Sequence, residues 1–369
     1  MPATREEPAA LEVVVLLGTD FARLRDQGTR WRFVLRAWAN DARVRRLVAL
    51  DFPRLSPRHA LGRSLARPRP SWLDGCELLE PAVAVHRSST IGARRAWAAT
   101  GRAVNDVLGP PRAPRIALAA TPLAVPLLRH LDVARRGFDA VDDWRVLPGV
   151  QHLGAHVRSG YAQLGPELSC SSVSARLGEV LRGDYGVIAT TVPNGVDLEA
   201  FAQPGPAPEG LPSGPFAVYV GVVQERFDLA LLESLGRAGV PVVVAGPAPE
   251  AMTARLRASG AHWLGRVDVA LVPGLLQRAA VGIVPHRIDA LTASMDPMKV
   301  LEYLAAGLPV VTTPVARSVI SDRVTEAEGE AFVAAVLQDL DAPRLSQPDP
   351  AVRDRDWSAV ADALLRVHQ

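Results

Sequence analysis

The sequence predicts an α/β protein built as two domains, and three observations predict it. The chain has 369 residues, more than one ordinary hydrophobic core encloses, so it should divide into two domains of common size. Short apolar runs rich in Val stop at glycine or proline and alternate with segments patterned at helical spacing, the order of parallel sheets flanked by helices. Between the halves, residues 204–215 are rich in proline and glycine and read as a linker.

Residues 1–9 read as a loose tail. Residues 13–17 form an apolar run closed by Gly18, a first buried parallel strand with a tight turn at its C-terminal end. Residues 26–39 alternate at helical spacing and lead into a second strand, 46–51, which makes a βαβ start. The spaced glycines of a dinucleotide fingerprint are missing, so no nicotinamide site is read. Residues 53–72 thread Arg54, Arg58, Arg63, Arg67 and Arg69 through Leu and Trp without a sustained apolar face, and read as an exposed loop more than a membrane-surface segment. A helix follows at 91–108, ended by Gly109, then a strand at 116–120 with a stop at Thr121 and Pro122. Residues 168–173 are a strand, with Ser172 and Ser174 as caps for a helix at 175–182, and 187–192 are extended.

In the second half, 216–221 is a strand ending in glycine. A helix to about 238 and strands at 240–245, 261–265 and 281–286 follow. Their loops at 221, 246, 265 and 286 then fall on one edge of a sheet, across which a nucleotide can lie. An amphipathic helix after Trp357 closes the chain.

Composition narrows the class. Hydrophobic residues make up 48% and charged residues 22%, which describes a globular and not a disordered chain. The net charge of +2 hides an asymmetry, because residues 1–150 hold 24 Arg against 15 acids while the remainder is acidic. A basic first half suits an acidic substrate or an anionic surface, although solvated Arg in an Arg-biased composition is the plainer cause. Two cysteines, Cys76 and Cys170, make no disulfide framework and no metal-ligand spacing, which fits a reducing, cytoplasmic setting. No leader pattern or membrane-spanning run is read, so contact with a membrane is at most peripheral. His262 and His286 have no acid or cysteine at ligand spacing, and neither a metal site nor a cofactor is read.

Residues 296–313 carry the chemistry. Asp296 suits a helix N-cap, Pro297 the first helical position, and Gly307 with Pro309 a stop, giving a helix at 297–306 and a buried strand at 308–313. Lys299, the only lysine in the chain, and Glu302 lie three apart near the positive end of that helix. A lysine at a helix N-terminus is a seat for phosphate, and a carboxylate one turn on can accept from a ribose diol. The plainer alternative is an ordinary i,i+3 surface pair.

The run Pro-x-Lys-x-x-Glu-Tyr-Leu-Ala-x-Gly-x-Pro-Val-Val, beginning at Pro297, resembles the donor-site signature of GT-B glycosyltransferases. It is most similar to bacterial family-4-type enzymes and their teichuronic-acid and xanthan glucuronosyltransferase-like branch. The resemblance implies two Rossmann-like domains facing across a cleft: residues 1–195 for the acceptor, 196–215 as linker, 216–350 for the donor, and a C-terminal helix at 351–369 crossing back to the first domain. It implies donor contacts from Gly221, Arg226, Pro297, Met298, Lys299 and Glu302. Ser294 stands where many family members have Glu, a departure at the donor sugar. Residues 193–197, Pro-Asn-Gly-Val-Asp, resemble an interdomain signature, and Gly18, Gln27 and Gly28 are the acceptor-side candidates.

Asp142 and Asp143 follow a short apolar strand. In the resembling branch an aspartate of this region is the general base, a role carried here to Asp142 or Asp143; the alternative is that they cap a helix starting near Trp144. The expected reaction moves a sugar from a nucleoside-diphosphate sugar to a hydroxyl acceptor: a glycan, a lipid-linked sugar or a small natural product. Nucleic acid is not among the expected partners. An inverting reaction needs the base, and a retaining one does not need it in that form. A sugar-nucleotide epimerase on the same scaffold and a catalytically silent partner subunit remain alternatives.

Overall fold

The structure is a computed structural model that describes residues 10–55, 66–69, 71–83 and 89–369. The chain divides into two compact units, residues 1–192 with 360–369, and residues 193–359. The tail at 1–9 lies outside the described residues.

The first unit is a largely parallel sheet. Its strands are β1 (Leu11–Leu16), β2 (Val44–Leu50), β3 (Arg54–Leu55), β4 (Ala66–Arg69), β5 (Cys76–Val83), β6 (Arg115–Ala119), β7 (Arg135–Ala140), β8 (Leu168–Ser172) and β9 (Thr190–Thr191). Their order is β3-β5-β2-β1-β6-β7-β8-β9, with β4 antiparallel on β5. β1 is buried along its whole length because it pairs in parallel on both sides, with Val13 opposite Leu47 and Ile116. The helices are α1 (Phe21–Asp26), α2 (Arg30–Ala39), α3 (Ala93–Leu108), α4 (Val125–Leu128), α5 (Gly154–Tyr161) and α6 (Ala175–Tyr185). One core joins Val14, Leu16 and Val48 to Trp97, Phe138 and Tyr161.

Three expectations change here. The segment 26–39 is not one helix: Asp26 ends α1 and α2 begins at Arg30, since the Gln27 amide closes α1 on the Arg23 carbonyl and extended backbone at Gln27 and Thr29 breaks the run. The stretch 53–72 is not simply a loop, because β3 and β4 pair with β5, a strand the sequence reading did not assign. Arg58 and Arg63 lie outside the described residues, and Arg69 pairs with Glu80. No helix starts at Trp144; a turn there leads to a 3-10 turn at Gln151–Leu153 and then to α5.

The second unit is a doubly wound parallel sheet of β10 (Ala217–Val220), β11 (Val242–Ala245), β12 (His262–Gly265), β13 (Val281–Val284), β14 (Val310–Thr312) and β15 (Val324–Glu326), ordered β12-β11-β10-β13-β14-β15. The order reverses between β10 and β13, so the crevice at their C-terminal ends is the switch point of the sheet. Helices α7 (Leu229–Arg237), α8 (Glu250–Ala258), α9 (Val272–Leu276), α10 (Met298–Ala305) and α11 (Gly329–Leu340) cover it. Alternation along β10 sends Val218 to the core under α10, and Ala217 and Tyr219 to the core under α7 and α11. Gly282 of β13 leaves the space that the Tyr303 ring fills, where a Cβ would come within 2.3 Å of that ring. That contact seats α10 on the sheet.

Residues 204–215 are not a free tether. The Gly205 amide donates to Gln277 Oε1 at 2.8 Å, and Gly274 of α9 packs where a Cβ would reach 2.0 Å from the Pro206 carbonyl oxygen. The last helix, α12 (Trp357–His368), ends in the first unit, where the Ala361 carbonyl accepts from the Trp38 indole and Asp362 pairs with Arg43 at 2.7 Å. No helix among the described residues is long and apolar enough to cross a membrane. Both cysteines are free, and burial pushes each thiol up to about 12, which makes them poor nucleophiles.

Candidate functional site

The C-terminal edge of the second sheet is stitched by its own loops. The Gly221 amide donates to the Ala245 carbonyl at 2.9 Å, and the Gly246 amide to the Gly265 carbonyl at 2.7 Å. Gly221 has φ +140 and Gly246 φ +150. A Cβ at Gly246 would sit 1.9 Å from the Gly221 carbonyl oxygen, so the close approach of these loops requires glycine.

Lys299, in the first turn of α10, reaches under this edge. Its Nζ donates to the Tyr219 hydroxyl at 3.1 Å, lies 4.4 Å from that ring's centroid, and is 3.4 Å from His286 Nε2. Arg226 belongs to the loop after β10, which is tied to the end of β13 by Arg287 N to Arg226 O at 2.7 Å and Asp228 N to Pro285 O at 2.8 Å. The buried Arg226 Nε has no hydrogen-bond partner, and neither does His286 Nδ1. Among the described residues no ion pair joins Lys299 or Arg226 to an acid.

The electrostatics follow from that placement. Burial, then the Arg226 charge, push Lys299 down to about 7, with Glu302 pulling weakly the other way. His286 is held well below the ordinary histidine value by burial and by the Lys299 and Arg226 charges. Glu302 is raised by burial, against the pull of Lys299. Lys299 and Glu302 are both half-buried and are not the exposed i,i+3 pair that their spacing also allowed. A group of like charges without a counter-ion is costly to a folded chain, and an anion placed among them relieves the cost.

The other donor-side candidates sit close in sequence to this cluster. Pro297 occupies the N-cap position of α10 with φ −69 and ψ 109, so Met298 is the first helical residue, and the opening amides of the helix lack intrahelical partners. Asp296 is not the cap. Its carboxylate accepts from the Asn194 amide at 2.8 Å and the Ser318 amide at 2.7 Å, because the extended Pro297 turns it toward those loops. Ser294 is buried and its hydroxyl donates to the Leu291 carbonyl at 3.0 Å. Among the described residues no three His, Cys, Asp or Glu side chains are grouped as a metal site.

In the first unit, Gly18 follows β1 where a Cβ would meet the Ala120 carbonyl oxygen at 2.8 Å and the Trp144 ring at 3.4 Å. Gln27 and Gly28 lie in the turn between α1 and α2. Asp142 and Asp143 follow the C-terminal end of β7, but the two differ. Asp143 is buried and held by the Arg145 side chain in two bonds, at 2.8 and 2.6 Å, while Asp142 is half-buried. Arg145 also reaches Asp184.

Sequence reasoning missed Tyr219; it read His286 as no metal ligand and as the start of a polar loop, 286–294, that should face the donor sugar. The alternation of β10 could have flagged Tyr219 as inward, but nothing local places its hydroxyl beside Lys299, a residue 80 positions away. The buried ion pair of Arg30 with Asp139, at 3.0 Å, was missed for the same reason.

Residues 219–341, which contain the whole cluster, match the family model described as Glycosyl transferases group 1. That match spans a third of the chain, and the chain as a whole has a GT-B fold. The structure of an α,α-trehalose-phosphate synthase (UDP-forming) from Burkholderia xenovorans, in complex with glucose-6-phosphate, is similar with a TM-score of 0.67 at 13% identity, over 97% of this chain and 99% of that one. Sucrose-phosphate synthase from Thermosynechococcus elongatus is similar with a TM-score of 0.66 at 14% identity, over 96% and 98%. At such identity these likenesses establish the GT-B fold alone. In sequence, a Bacillus subtilis (strain 168) protein named as a teichuronic acid biosynthesis glycosyltransferase, TuaH, is 27% identical over 137 residues, covering 33% of this chain and 34% of that protein. The match therefore spans about a third of that curated relative. In this GT-B chain the Lys299 cluster lies wholly within the matched domain.

Proposed function

We propose that the protein transfers a sugar from a nucleoside-diphosphate sugar to a hydroxyl acceptor. The observation that carries the reading is the pair of unpaired cations, Lys299 and Arg226, at the switch point of the second sheet beside Gly221. The acceptor oxygen attacks the anomeric carbon, the bond from that carbon to the donor phosphate breaks, and the nucleoside diphosphate leaves with the electron pair. Lys299, Arg226 and the opening amides of α10 stabilise the charge that grows on the leaving diphosphate. Glu302 accepts from the ribose hydroxyls, a role in keeping with a half-buried carboxylate for which the described residues provide no ion pair.

The basic first unit holds the acceptor, with Gly18, Gln27 and Gly28 as contacts. If the sugar configuration inverts, Asp142 takes the acceptor proton, since it is half-buried where Asp143 is buried against Arg145. A cell-surface polysaccharide acceptor is in keeping with the teichuronic acid biosynthesis for which the Bacillus relative is named.

Incubation with UDP-, GDP- and dTDP-sugars tests the reading. Slow donor hydrolysis, lost in Lys299→Ala, supports a transferase. An isomerised donor means an epimerase, and donor binding without turnover at any acceptor means a silent partner. Glu302→Ala should weaken nucleoside binding, and unchanged affinity removes the ribose assignment.

A further inference from the structure

The inference rests on reading the Lys299 cluster as a diphosphate site, and concerns how that cluster carries its protons. The Tyr219 hydroxyl lies 3.2 Å from the Val222 carbonyl and 3.4 Å from His286 Nε2, and its oxygen accepts from Lys299. His286 Nε2 lies 3.4 Å from the same Nζ. An ammonium and an imidazolium cannot both occupy that contact, because each would present only donors; one nitrogen must keep its lone pair. The charges acting on the pair are that of Lys299 on His286, that of Arg226 on the loop after β10, and that of Glu302 on α10, which makes no ion pair with Lys299 among the described residues. His286 Nδ1 is buried without a partner, and the residue also lines a cavity of about 570 Å³ with Asp228, Ser234, Arg287, Thr313 and Glu328.

We infer that Tyr219 and His286 are positioning residues that hold Lys299 in a proton-deficient cluster, and that binding of a nucleoside diphosphate is coupled to uptake of a proton there. The direction follows from the charges. In the unliganded chain burial and Arg226 disfavour the protonated forms of Lys299 and His286, and a bound diphosphate puts negative charge beside both and restores their affinity for protons. Affinity for the diphosphate therefore falls as pH rises through the range just above 7.

The test is calorimetric titration of the full chain with inorganic pyrophosphate and with UDP at about pH 8, in buffers of different ionisation enthalpy. The slope of heat against buffer enthalpy should report uptake of roughly one proton, since a group titrating near 7 is mostly neutral at that pH. In Lys299→Arg, whose guanidinium stays charged, the binding that remains should carry no uptake. In His286→Gln, whose amide oxygen can accept from the ammonium, uptake should fall; a merely structural role for His286 would lower affinity at every pH and leave the proton count unchanged. Binding to the native chain with no buffer dependence overturns the inference and leaves the diphosphate site standing. No binding of either probe overturns both.

Discussion

The Lys299 ammonium lies 3.1 Å from the Tyr219 hydroxyl and over the face of the same ring, 4.4 Å from its centroid. Both contacts suit a cation without supplying an opposite charge, which leaves that role to a ligand. An acid in that place would have consumed it.

Lys299→Ala should therefore weaken binding of a nucleoside diphosphate far more than binding of the nucleoside. A charge-assisted contact contributes about 1.5–3 kcal/mol, or roughly 10- to 150-fold in affinity. Titration of UDP and uridine, or of the pair for whichever base binds, checks it. Equal losses for the two would remove the phosphate assignment.

The same lysine gives the unliganded protein a pH dependence of known sign. Lys299 titrates near 7 when folded, against about 10.4 for an unperturbed lysine, so between those values the unfolded chain binds more protons. Stability contributed by this site rises as pH climbs from 7 toward 9 and is lost as pH falls back. Lys299→Met should flatten that slope. Urea midpoints of native and variant chains at pH 7, 8 and 9 measure it, and parallel slopes would mean that Lys299 titrates normally.

Asp142 and Asp143 should respond unequally to replacement by Asn. Asp142→Asn is expected to lose turnover by ~100-fold or more with donor binding nearly intact. Asp143→Asn should cost about 1–2 kcal/mol of stability, a figure held down by the exposure of Arg145. Steady-state rates and unfolding midpoints separate the two effects. Full activity in both variants would make the acidic pair structural and favour a retaining mechanism.

Asp139 anchors the first unit. Its carboxylate pairs with the buried Arg30 and accepts from Ser171 at 2.6 Å; the Ser171 hydroxyl is in turn 3.0 Å from His368 at the end of α12. Asp139→Ala removes the buried carboxylate that faces the Arg30 guanidinium and should lower stability by about 3–5 kcal/mol. The first unfolding transition in urea reads it, and an unchanged midpoint would show that the network is dispensable.

Much of the architecture was legible because its causes are local. The valine-rich runs of β1, β10, β11 and β14 announce parallel strands, the Ser174 side chain does cap α6 by accepting from the Leu177 amide, and Gly307 ends α10. The site was half legible. Lys299 and Glu302 stand out by spacing, by the uniqueness of the lysine and by the motif around them.

What the sequence by itself determined is thus the α/β fold class, the helix that carries Lys299 and the family resemblance, since periodicity, caps and motif all act within a few residues. The tertiary structure alone decided that Lys299 meets Tyr219 and His286 instead of Glu302, that Asp296 serves the Asn194 and Ser318 loops instead of a helix cap, and that Arg145 occupies Asp143. These outcomes depend on which strand ends share an edge and on how much water each charge keeps. Both quantities arise only when distant segments pack, and no local pattern encodes them.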